Sequence, residues 1–83
     1  MAYSVTLEGN KVAEVREIPD TDYDELGLEW ALSELKDTWR YSKNVSATFS
    51  LADDNELRDF LRAVTALLGP DALGEHAHRV ANP

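Results

Sequence analysis

Eighty-three residues, 43% of them hydrophobic, suffice for one domain with one modest core and leave no length for a second. Sixteen acidic residues against eight Lys and Arg give a formal net charge of −8, which repels nucleic-acid phosphates and anionic lipid. With no cysteine, disulfide staples, thiolate metal sites and cysteine nucleophiles are all excluded.

The chain opens on Met1-Ala2-Tyr3-Ser4-Val5-Thr6, which has neither a basic stretch nor a long apolar run, so no signal peptide is expected. No segment approaches the ~18 apolar residues of a membrane span. The expected location is cytoplasmic. Residues 3 to 18, YSVTLEGNKVAEVREI, read as a β-hairpin about Gly9-Asn10. A two-residue loop would set Val5 opposite Glu14 and mix the two faces. A three-residue loop, Glu8-Gly9-Asn10, sets Val5 opposite Ala13 and Tyr3 opposite Val15, and is the preferred register. Pro19 and Asp20 end the second strand.

The stretch DTDYDELGLEW, residues 20 to 30, holds five carboxylates and no base. Asp20, Asp22 and Asp24 match the first three oxygen ligands of a calcium loop. The sixth position is Glu25 where the sharp turn needs glycine, and the twelfth is Ala31 where a bidentate Glu closes the site. The acids therefore read as a helix start, where they favour the positive end, and no metal site is expected. The helix runs from about Asp24 to Tyr41, with Gly27 blurring its beginning. At ~100° per residue, Leu28, Leu32, Leu35 and Trp39 fall within about 60° and form its core stripe. Opposite that stripe lie Leu26, Trp30, Ser33, Glu34, Asp37 and Tyr41.

Residues 44 to 51, NVSATFSL, alternate as a strand should, with Val45, Ala47, Phe49 and Leu51 inward and Ser46, Thr48 and Ser50 outward. Asp53 and Glu56 then form an acidic capping box. The second helix reaches Leu68 with Leu57, Phe60, Leu61, Val64, Leu67 and Leu68 on one side, and Gly69-Pro70 stops it. A short terminal helix can follow over 71–79, with residues 74–83 expected to fray. The predicted fold is α+β, in the order β-β-α-β-α. It has a three-stranded mixed sheet and two helices on one face, with Ser4, Thr6, Ser46, Thr48 and Ser50 facing water. The two strands joined through a helix should be parallel, with the first strand between them. Pairing through an open sheet edge would give a homodimer.

Enzymatic chemistry finds little to stand on. His76 and His78 fall in the expected tail, the four glycines are too scattered to cradle a phosphate, and there is no nucleophile elbow. Arg58 and Arg62, one turn apart, suggest a phosphate clamp, but neighbouring acids such as Asp59 make intramolecular ion pairs the simpler expectation. No cofactor is expected.

Charge is unevenly spread. Residues 14 to 37 hold nine acids and two bases, a net of −7, against −1 for the rest of the chain. That asymmetry exceeds uniform halophile acidity and points to a functional surface. Two classes follow. One is a non-enzymatic protein-binding module whose contact surface is the acidic helix with its large aromatic. Its contact residues would be Asp20, Asp22, Asp24, Glu25, Leu26, Trp30, Glu34, Asp37 and Tyr41, and its partner a protein with a basic surface. The other is a phage- or mobile-element-type inhibitor that mimics nucleic acid to block a host DNA- or RNA-binding protein. Direct nucleic-acid and membrane binding are expected of neither.

Overall fold

The computed structural model describes residues 1–22 and 27–80, apart from the side chain of Asp22. It has β1 (Ala2–Glu8), β2 (Lys11–Ile18), one 3-10 turn (Asp20–Asp22), α1 (Gly27–Ser42), β3 (Ala47–Leu51) and α2 (Asp54–Leu68). A 3-10 segment, Pro70–Arg79, follows and is kinked at Gly74. The class is α+β, as the hydrophobic patterning predicts. The sheet order is β2-β1-β3. β1 is antiparallel to both neighbours, so β2 and β3 run parallel to each other with β1 between them, and each ladder is antiparallel.

The hairpin turn differs from expectation. Gly9 and Asn10 both have positive φ, 56° and 69°, which is the two-residue turn whose twist suits a hairpin. Glu8 therefore faces Lys11, and Leu7 faces Val12. The register then slips by one residue, so that Thr6 faces Glu14 and Val5 faces Val15. The extra residue is Ala13, bulged and exposed. The bulge corrects the defect of a plain two-residue loop, because it returns Val5 and Val15 to one face without a third loop residue. Asn10 then ties the turn to the α1–β3 connection. Its Oδ1 accepts from the Val45 amide at 2.6 Å, and its Nδ2 donates to the Lys43 carbonyl at 3.0 Å.

The helical layer covers one sheet face. α1 packs on β3, α2 on β1, and the terminal 3-10 segment on β2. Val5, Leu7, Phe49 and Leu51 from the sheet, with Val45 from the connection before β3, meet Leu35, Leu57, Phe60, Leu61, Val64 and Leu73. Phe49 and Phe60 stack tilted at 44°, centroids 4.9 Å apart. In α1 the deepest residues are Ala31 and Leu35, while Leu28, Leu32 and Trp39 are half-buried. The core stripe is thus rotated towards the small Ala31. Trp39 lies at the rim, with the Lys43 ammonium 5.3 Å above its ring.

α2 begins as expected. Asp53 Oδ1 accepts from the Glu56 amide at 2.9 Å, although Glu56 reaches back to the Ala52 amide rather than to that of Asp53. The chain after α2 continues as the 3-10 segment. Residues 74–79, read as part of a frayed tail, continue the 3-10 segment, while Ala72 and Leu73 are buried in the core and Val80 packs at its edge. The opposite sheet face is also less open than its hydroxyls suggest. Ser4 is only 8% exposed, flanked in the central strand by Arg16 and Ser50. Thr6 and Thr48 share a hydroxyl hydrogen bond of 3.1 Å. No helix is long and apolar enough to cross a membrane, among the described residues.

Candidate functional site

α1 is a 16-residue helix whose inner face is fixed by Ala31 and Leu35. Residues half a turn away must point outward. Trp30 is 45% exposed and Tyr41 is 87% exposed, the two large aromatics of the described residues that face solvent most. Glu34 and Asp37 lie between them and are exposed, with Glu29 and Ser33 on the flank. At a rise of ~1.5 Å per residue, Trp30 and Tyr41 sit roughly 16 Å apart along one stripe, with both carboxylates interposed. Neither carboxylate forms an ion pair within the described residues. The face therefore presents two apolar rings and two uncompensated charges side by side.

The other predicted contact residues are only partly placed. Asp20 lies in the 3-10 turn after β2, exposed, with one carboxylate oxygen 3.9 Å from the N-terminal amine. Asp24, Glu25, Leu26 and the side chain of Asp22 lie outside the described residues. The structure thus brings together Trp30, Glu34, Asp37 and Tyr41. Among the described residues no three His, Asp or Glu side chains are grouped as a metal site.

Comparison with protein-family models, curated proteins and solved structures finds no match.

A second polar cluster escapes the sequence reading. Packing of the 3-10 segment beside α2 brings Asp54, Leu57 and Arg58 against His78 and Arg79, around an open depression of about 310 Å³. The Tyr3 hydroxyl reaches in from β1 and donates to Asp54 Oδ1 at 2.5 Å. That hydrogen bond, with burial and the negative charge of Asp54 and Glu17, raises the Tyr3 pKa above its usual value, while Arg79 acts the other way. His78 lies within the 3-10 segment. Its Nδ1 lies 2.8 Å from the Glu75 carbonyl oxygen, which can only accept, so Nδ1 carries the proton and Nε2 is left over. Nor does Arg58 form the expected ion pair, since no carboxylate of the described residues lies within 4.0 Å of it. Twenty-one positions separate Arg58 from Arg79, and no sequence periodicity links them. The docking of the last segment through Ala72, Leu73 and Val80 brings them to one place.

Proposed function

We propose that this protein is a small non-enzymatic binding module, and that it recognises a protein with a basic surface through the outer face of α1. The observation that carries this reading is the exposure of Trp30 and Tyr41 on one stripe with Glu34 and Asp37 between them. A half-exposed indole on a helix whose own core face is already filled has no folding role that requires its type. In an interface, the same ring supplies most of the buried area, and acids around it steer a cationic partner during approach. The net charge of −8 lengthens the reach of that steering. Asp20, Asp22, Asp24, Glu25 and Leu26, which precede α1 in the chain, would extend the contact at the helix start.

The test separates this module from a nucleic-acid mimic. The protein is immobilised and its binders are recovered from a lysate of its own cells, at low and at high salt and with or without added DNA or RNA. A Trp-centred interface retains its partner at high salt, ignores nucleic acid, and loses it on Trp30→Ala. Release by salt, together with competition by nucleic acid, would instead mark a surface that works by charge alone.

A further inference from the structure

The depression between α2 and the terminal 3-10 segment lies away from the α1 face and is built from groups of a different kind. Two of the chain's five arginines and one of its two histidines line it, in a protein whose acids outnumber its bases two to one. Arg58 and Arg79 have no carboxylate within 4.0 Å among the described residues, so neither fork is already satisfied. His78 is held through Nδ1 and keeps Nε2 unpartnered among the described residues. Asp54 completes the lining. Its Oδ1 is occupied by the Tyr3 hydroxyl, which leaves Oδ2 as an acceptor.

We propose that this depression binds a small hydroxylated phosphate monoester. Each guanidinium fork can donate charge-assisted hydrogen bonds to phosphate oxygens, while His78 Nε2, an acceptor when Nδ1 carries the proton, can take the hydrogen bond of a ligand hydroxyl. A bare anion would also meet the negative charge of Asp54, and of Glu17 across the β1–β2 ladder from Tyr3. A ligand hydroxyl beside the phosphate turns Asp54 from an opponent into an acceptor. The strongly acidic remainder of the surface disfavours a polyanion such as nucleic acid, and favours a compact ligand with one phosphate.

The probes are glycerol 3-phosphate and inorganic phosphate, titrated into the full chain at constant ionic strength while amide and arginine side-chain resonances are followed. Saturable shifts confined to residues 54–58 and 76–80 are expected, with glycerol 3-phosphate binding more tightly than inorganic phosphate. Arg58→Gln with Arg79→Gln should reduce affinity by about tenfold or more, and Arg79→Lys should reduce it partially because it keeps charge and loses the fork. Arg40→Gln, on α1, should change nothing. All these side chains are exposed, so the variants are expected to unfold at temperatures near that of the parent, which a thermal melt verifies. Shifts that sodium chloride reproduces, binding that survives the double substitution, or equal affinity for the two phosphates would each overturn the proposal.

Discussion

Trp30 is the larger side chain and Leu35 the smaller, yet truncating Leu35 should cost the fold more. Leu35 is fully buried, in contact with the core that joins α1 to the sheet. Leu-to-Ala changes at such sites cost ~3–4 kcal/mol, the lost transfer energy plus the cavity left behind. Trp30 is 45% exposed and lies outside the core cluster and the partly buried ring around it. About half of the ring's ~200 Å² is then covered, an upper limit of ~2.5 kcal/mol at ~25 cal/mol/Å². Compactness of the unfolded chain and the better helix propensity of alanine lower this to ~1–1.5 kcal/mol. For a domain of this length 1 kcal/mol shifts the midpoint by ~6 °C. Thermal melts should therefore fall by roughly 8 °C or less for Trp30→Ala and by roughly 20 °C for Leu35→Ala. If Trp30→Ala were as destabilising as Leu35→Ala, Trp30 would be a core residue and the proposed surface would lose its anchor.

Three further outcomes are expected. Asn10→Ala removes two side-chain hydrogen bonds to the 43–45 connection and puts alanine at positive φ, a loss of ~2–3 kcal/mol by urea unfolding, of which Asn10→Gly should recover only the backbone part. A chain stopped after Leu73 keeps the buried Ala72 and Leu73 but loses Val80; it should unfold cooperatively with stability reduced by ~1–2 kcal/mol, and a non-cooperative melt would show that the last turn completes the core. Tyr3→Phe should cost ~1 kcal/mol at neutral pH and flatten the alkaline limb of the stability curve. The sign follows from the raised folded-state pKa of Tyr3: its contribution is whole below the unfolded value near 10 and declines as pH rises through the folded value. Parallel alkaline limbs in the two proteins would contradict that assignment.

The elements most legible in the sequence are those whose periodicity is undiluted. Val45, Phe49 and Leu51 alternate inward as read, and Leu57, Phe60, Leu61 and Val64 form the buried stripe of α2. In α1 one of the two buried positions is Ala31, too small to register in a hydrophobic pattern, whereas the larger Leu32 and Trp39 are only half-buried. The hairpin register failed for another reason. An uninterrupted ladder on a two-residue turn mixes the two faces, whereas an exposed Ala13 bulge makes that turn compatible with a continuous apolar face. A Gly-Pro break ends a helix locally and says nothing about whether the following Ala72 and Leu73 dock, as they do here. The exposed face of α1 was legible from the angular positions of Trp30, Glu34, Asp37 and Tyr41. The depression lined by Arg58, His78 and Arg79 was not, since it exists only through packing between segments distant in the chain.

The central claim, that the outer face of α1 is the binding surface, is tested most directly by affinity. A partner recovered with the parent protein is titrated calorimetrically with the parent, Trp30→Ala and Glu34→Lys, after each variant is shown to be folded. A loss of about thirtyfold or more, ~2 kcal/mol, is expected for Trp30→Ala and a smaller, salt-sensitive loss for Glu34→Lys. Unchanged affinity of folded Trp30→Ala would contradict it and move the interface to another face of the molecule.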